Sequence, residues 1–346
     1  MRYGFIPTSL AERLAALLGR LPAPALDTLV AMNQARALMN LVKCGAFEAL
    51  RNGPRDSAAI AAATGTDREV LHMLLRIAHS ARYLKRNGSQ WALSPLGKRC
   101  MLKGAPMDLT GTVLFKFYEW DLVESMDEVL YSGVGRDFHH TVADPDFWAA
   151  YQRSMLELAS LGAPLLAKLV PVRSGAKSLL DVAGSHGMYG AAICSLHPGM
   201  HCTVLDLPAA IPHARQLARE AGISDVVTHV EGDMAAGNYP PGQDVVFFAN
   251  IMHHFSPQQN TEILRRAHAA LNDRGTAAIW DIERTADNAP PELASDSFAL
   301  YFRVISTSAT FTAEEYASWM REAGFEDVLS KRHPLLPRFV LTVGRK

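Results

Sequence analysis

LLDVAGSHGMYG, residues 179–190, reads as an apolar strand that runs into a glycine-containing turn and opens a helix. Gly184, Gly187 and Gly190 permit tight backbone geometry and the close approach of a ligand. Downstream, CTVLDLP, VVTHVEGD, DVVFFANIM and TAAIWDIE are further short apolar strand candidates, alternating with helical stretches such as AAIPHARQLAREAG and NTEILRRAHAAL. Near-continuous apolar strands between amphipathic helices predict an α/β domain with a parallel sheet covered on both faces. The helix TAEEYASWMREAGF and the strands EDVLSKR and RFVLTVG close it.

Upstream, residues 1 to about 170 read as mostly helical. ALDTLVAMNQARALMNLVKCGAFEAL carries apolar residues at helical spacing and ends near Gly53-Pro54. Two short helices follow, DSAAIAAATG and TDREVLHMLLRIAHSARYL, the second started by a Thr66/Glu69 capping box. YLKRNGSQWALS then predicts a hairpin turning at Asn87-Gly88. Helix, helix and hairpin make a winged-helix arrangement, but its second helix lacks a basic face, so packing or dimerisation is expected rather than DNA reading. Two further helices are expected around 108–131 and 144–170, the latter capped by Asp144 with Pro145 at its first position.

Composition narrows the function. The chain has 346 residues, 49% of them hydrophobic, and 34 Lys+Arg against 35 Asp+Glu for a net charge of -1. Nothing here invites nucleic acid or a membrane surface. No signal-peptide pattern or apolar run long enough to span a bilayer is seen, and the 4 cysteines have no zinc-like spacing, so a cytoplasmic protein with reduced thiols is expected.

Asp206 ends the strand after the glycine turn, where a carboxylate can accept hydrogen bonds from two ribose hydroxyls. The turn has no G-x-G, and the chain has no G-x-x-x-x-G-K-[ST] loop, so a nucleoside without phosphates fits better than a dinucleotide. S-adenosyl-L-methionine is the expected cofactor. In the third strand's EGDM, Asp233 can accept from an adenine amino group while Met234 packs on the ring.

These motifs resemble those of the S-adenosylmethionine-dependent small-molecule O-methyltransferases, in which a winged-helix-like dimerisation domain precedes the cofactor domain. DVAGSHG resembles the family's D-V-G-G-x-x-G loop with Ala183 in the first glycine position, and LDLP and EGDM match its second and third cofactor motifs. The resemblance covers nearly the whole chain. It implies a Rossmann-like domain with a mostly parallel seven-stranded sheet at 171–346, a dimerisation domain at 1–105, and linking helices at 106–170 that contribute to the substrate pocket. It further implies a homodimer acting on a small, aromatic or polyketide-like metabolite. By the same resemblance Asp181, Gly184 and Gly187 surround the methionine part of the cofactor, Asp206 and Leu207 the ribose and adenine, and Gly232, Asp233, Met234 and Asn250 complete its site. FWAAYQRSM resembles the helix that places aromatics and a methionine over the substrate, which implies Tyr151 and Met155.

The family's general base is the histidine of an L-H-D-W segment. Here that segment is MHHF: His253 falls on the base, and His254, a substrate-side candidate, stands where the family has aspartate. Asp281 occupies a position where a supporting glutamate is common, and Glu315 matches the glutamate that braces the base. Thr312-x-x-Glu315 is equally a capping box. No metal site is expected. Two other readings stay open: metal-assisted C-methylation of an activated carbon such as a 2-oxo acid, with one ligand from the 253/254 pair and another from Asp281 or a distant histidine, 139/140 being a second such pair, and a cofactor-binding homologue that catalyses a different reaction.

Overall fold

The computed structural model describes residues 7, 9–20, 23–286 and 288–346, the side chains of His140 and Pro337 excepted. It divides into two compact units, residues 1–117 and 118–346. The segment expected as a separate linker over 106–170 is thus shared between them. Its last helix, Pro145–Leu166, buries Ala163 and Leu166 and feeds the core of the second unit.

In the first unit the long apolar helix is shorter than expected. Ala31–Lys43 stops at Cys44, and Gly45 at φ +80 turns the chain into a separate helical turn, Ala46–Ala49. Only glycine takes that backbone cheaply, which a count of apolar spacing passes over. Helices Ser57–Thr64 and Arg68–Ser80 follow. Asp67 caps the second by accepting from the amides of Glu69 and Val70, while the Thr66 hydroxyl bonds Thr64; the expected Thr66/Glu69 box is therefore not the cap. A carboxylate one residue closer to the first turn takes the same orphan amides. Three short strands, β1 (Arg55–Asp56), β2 (Leu84–Asn87) and β3 (Gln90–Leu93), pair in the order β1-β3-β2. Asn87 pairs with Gln90, so the hairpin turns on Gly88-Ser89, with Gly88 at φ +57, one residue beyond the expected place. Trp91, fully buried, centres this unit's core with Leu41, Phe47 and Leu75.

The second unit contains β4 (Ser178–Val182), β5 (His201–Asp206), β6 (Val227–Glu231), β7 (Gln243–Ala249), β8 (Leu271–Ile282), β9 (Glu326–His333) and β10 (Leu336–Arg345). They form one seven-stranded sheet in the order β6-β5-β4-β7-β8-β10-β9. β4 to β8 pair in parallel, and β10 runs antiparallel to both β8 and β9. Successive side chains of a strand point to opposite faces. Leu180, Val182, Val246 and Phe248 accordingly pack on one side with helices Pro257–Ala270 and Ala313–Glu322. Leu179, Val245, Phe247 and Trp280 pack on the other with the end of Pro145–Leu166 and with Met188–Ser195. Strands apolar at every position are what two covered faces require. The expected helix over 108–131 is two, Thr110–Glu124 and Met126–Ser132, broken at Ser125, whose hydroxyl bonds the Leu122 carbonyl. No helix among the described residues is long and apolar enough to cross a membrane.

The order reverses about β4, with β5 on one side and β7 on the other, which opens a crevice at the carboxyl ends of these strands. Gly190, at the start of the helix beneath it, lies hard against β5: an added Cβ would stand 2.3 Å from the Cys202 sulfur. Gly190→Ala should therefore cost about 1–3 kcal/mol by overpacking. The check is urea unfolding, with a lowered midpoint and an unchanged slope.

Candidate active site

The turn after β4 is held by its neighbours. Ala183 N donates to Leu205 O at 2.7 Å, and Ser185 N to Asp206 Oδ2 at 2.8 Å. Gly184 lies against Asp181: an added Cβ would meet the carboxylate carbon at 2.4 Å. Gly187, at φ +75, would meet Val227 at 2.7 Å. Ala183 (φ +54), Ser185 (φ +47) and, after β7, Asn250 (φ +54) sit in the left-handed region without being glycine. Each such residue costs of order 1–3 kcal/mol, and strain of this kind gathers at functional sites. Ala183 adopts the left-handed backbone at the position where the resemblance expects the loop's first glycine.

The acids at this edge are poorly solvated. Asp181 is buried, and among the described residues its carboxylate accepts one hydrogen bond, from Gly190 N at 3.3 Å, while its Oδ1 has no hydrogen-bond partner there. Burial pushes its pKa up to about 7, partly offset by the Gly190 amide, and the Asp206 charge adds to the rise. Burial likewise lifts Asp206 to about 6, against the pull of the Leu207 and Ser185 amides. Asp206 Oδ1 accepts from Leu207 N at 2.8 Å, and the Asp206 carbonyl accepts from Gly232 N at 2.9 Å, joining the ends of β5 and β6. Asp233 is exposed and takes Ala235 N at 2.8 Å. Met234 is a core residue, packed with Leu205 and Tyr239, so of this pair Asp233 is the one open to solvent. Asn250 hydrogen bonds the Tyr189 hydroxyl, whose pKa burial raises to about 12. A cradle that a Cβ would fill, an orphaned carboxylate oxygen and a strand-end acid together fit a ligand with an ammonium or sulfonium charge and vicinal hydroxyls.

His253 and His254 lie in a single 3-10 turn, Met252–His254, after β7. Their side chains diverge. His253 is 2% exposed, and its Nδ1 stands 2.6 Å from Asp281 Oδ1, near the end of β8. Asp281 also accepts from Met252 N at 3.0 Å and Ile282 N at 2.7 Å, so three N–H donors converge on one fully buried carboxylate. A carboxylate accepts, so Nδ1–H is the donor in this contact and Nε2 is the nitrogen turned away from Asp281. The Phe302 ring covers His253 at 3.9 Å.

His254 sits 4.3 Å from both the His253 and His139 rings, and its Nδ1 has no hydrogen-bond partner among the described residues. Burial, then the neighbouring His253 and His139, hold its pKa well below the usual histidine value. Glu315 is placed elsewhere: it completes the Thr312 capping box and pairs with Arg284 at 3.3 Å. Asp281, not Glu315, is the carboxylate at His253. The side chain of His140 lies outside the described residues. Among those residues no cluster of three or more His, Cys, Asp or Glu side chains could hold a metal ion.

Helix Pro145–Leu166 brings the expected Tyr151 beside the Phe138 ring and near Asp206, and the Met155 carbonyl beside His186. Burial, with Asp206 and Glu119 nearby, raises the Tyr151 hydroxyl pKa, which keeps it a donor. The Met155 carbonyl is bonded by His186, which also accepts Met188 N at 3.1 Å and is pushed down to about 4 by burial. His186, Phe302 and Phe138 are residues the sequence reading did not single out. His186 lies inside the glycine turn and Phe138 directly before the 139/140 histidine pair, motifs that could have marked them.

The signature of the O-methyltransferase domain matches residues 121–326. The N,N-dimethyltransferase OxyT of Streptomyces rimosus is 27% identical over 311 residues, covering 87% of this chain and 89% of the relative. The 3-hydroxy-5-methyl-1-naphthoate 3-O-methyltransferase of Streptomyces sahachiroi is 24% identical over 320 residues, covering 88% and 90%. The crystal structure of human N-acetylserotonin methyltransferase in complex with SAM shares the fold, with a TM-score of 0.84 at 18% identity over 99% of both chains. With the family signature over more than half its length, the chain belongs to the S-adenosylmethionine-dependent small-molecule O-methyltransferases.

Proposed function

We propose that the acceptor is a hydroxyl on a small aromatic or polyketide-like metabolite and that His253 is its general base. The observation that carries this is the buried 2.6 Å contact between His253 Nδ1 and Asp281 Oδ1. A phenol of pKa near 10 is mostly protonated at neutral pH, so a base within hydrogen-bond reach lowers the barrier. His253 Nε2 takes the hydroxyl proton, and Asp281 holds the ring and stabilises the imidazolium that results. S-adenosylmethionine, when bound, supplies an electrophilic methyl group on a sulfonium. The half-buried aromatic wall of Tyr151, Phe302 and His254 excludes water from the transfer. The naphthoate enzyme, named for an O-methylation of a fused aromatic ring, supports this acceptor class.

For the cofactor we assign Gly184, Gly187 and Asp181 to the methionine part, Asp206 and Leu207 to the ribose, and Asp233 with Gly232 to the adenine. Asn250 lies at the β7 end of the same crevice. The first unit we read as winged-helix-like and as a homodimer's interface, because Leu14 (57%), Leu17 (84%), Val30 (50%) and Met73 (55%) expose apolar side chains there. The four free cysteines are in keeping with a reducing compartment such as the cytoplasm.

Three outcomes follow from this reading. His253→Ala should lower turnover by about 10²–10⁴-fold while cofactor affinity stays within about twofold, and Asp281→Asn should lower it less. S-adenosylhomocysteine formation with a panel of phenols measures this; undiminished turnover in His253→Ala would sink the assignment. Asp206 and Asp181, raised to about 6 and about 7, hold protons in the free protein that a cationic ligand must expel. Cofactor affinity should accordingly rise with pH through that window, by about a hundredfold between about pH 5.5 and about pH 8 in isothermal titration. A flat profile would remove both acids from the cofactor site. Finally, sedimentation should find a dimer that Leu14→Glu with Leu17→Glu converts to monomer; a monomeric wild type contradicts the proposed interface.

A further inference from the structure

Between helix Met126–Ser132 and helix Pro145–Leu166 the chain crosses the end of helix Leu293–Ile305 as a strap. Arg136 N donates to Val304 O at 2.8 Å, and the Arg303 guanidinium reaches the Gly133 carbonyl. Gly135 is the point of closest approach. A Cβ there would stand 2.0 Å from Ser306 O and 2.2 Å from Arg303 O. Both are backbone atoms at a helix end and cannot swing aside, so the strap docks this way only with glycine at 135. Three residues on, its single helical turn, Phe138–Thr141, inserts the Phe138 ring.

That ring is 2% exposed and packs against Tyr151 at 5.4 Å, Phe147 at 5.7 Å and His254 at 6.0 Å. The helix that receives the strap is the one that lays Phe302 over His253. Anchor, ring and base are thus linked through one helix.

We infer that Phe138 is a specificity-determining residue, a steric gate that fills part of the acceptor site and limits the size of the ring system admitted. This rests on the reading of His254 and Tyr151 as acceptor-side residues. Close-packed interiors relax only partly when a side chain is cut back, so the space of a removed ring persists. An apolar space of that size takes up an aromatic ring of matching shape. Phe138 docked favours the smaller members of the proposed aromatic acceptor class. With the ring shortened, or the strap lifted from its anchor, a fused second ring fits beside His254.

The test uses the full-length protein saturated with S-adenosylhomocysteine and compares binding of 2-naphthol, followed by its fluorescence, with binding of phenol in competition. Phe138→Val should raise the ratio of 2-naphthol to phenol affinity by about tenfold or more. Gly135→Ala, which alters no ring in the site, should move the ratio in the same direction. A wild-type ratio in folded Phe138→Val would overturn the gate, and a wild-type ratio in folded Gly135→Ala would overturn the strap's part in it. Should Phe138→Val melt below the assay temperature, Phe138→Leu carries the same expectation. The readout needs no methyl transfer: a shifted ratio together with unimpaired turnover in His253→Ala would leave the gate standing and remove the base.

Discussion

At the end of β4 the backbone passes so close to the Asp181 carboxylate that residue 184 has no room for a side chain. Much of the second unit depends on this contact. The buried acid is held by the Gly190 amide at the start of the next helix, so the turn and the helix are fastened to the same group. The Ser185 amide then reaches across to Asp206 on β5, and the Gly232 amide ties β6 to β5. Three strand ends are brought into one crevice, β4 to β5 by an amide of the tight turn and β5 to β6 by the Gly232 amide. Ala183 and Ser185 carry left-handed backbones to make that turn, and the surrounding sheet enforces them.

The two halves of the crevice differ in their electrostatics. On the side of β4 and β5, Asp181 is buried with a single amide donor and Asp206 is half-buried with two, and burial raises the pKa of both. A cation supplies what they lack. On the side of β7 and β8, the acid is saturated: Asp281 accepts from His253 and from two amides. Beside it His254 is packed among aromatic rings, and burial holds its pKa well below the usual histidine value. The charged cofactor and the proposed uncharged aromatic acceptor would each meet surroundings that suit them, with the proposed base His253 at the border.

Much of the sheet was legible because its strands are apolar on both faces, and that pattern belongs to the strand itself. The cofactor motifs were legible for a similar reason, since glycine, acid and turn are consecutive in the chain. Boundaries failed where a single residue decided them. Gly45 ends a helix whose apolar spacing continues, Asp67 replaces Thr66 as cap, and Ser125 breaks a helix that reads as continuous. The acceptor side was only half legible. Tyr151 and Met155 came from a motif, whereas Phe302 comes from a segment with no signal of its own and Phe138 from one noticed only for its histidines, and only the packed structure sets them beside His253 and His254.

What the sequence determined by itself is local: strand and helix type, the need for glycine in the turn after β4, and acids at successive strand ends. These follow from periodicity and from backbone sterics over a few residues. Only the tertiary structure decided which carboxylate serves His253. Glu315 and Asp281 were both candidates; the cap at Thr312 engages one, and the end of β8 beside the 3-10 turn delivers the other. It decided equally that adjacent His253 and His254 lead separate lives, one paired with an acid and one set among rings. Hydrogen bonds and ring contacts between residues far apart in the chain depend on where the sheet and helices place them.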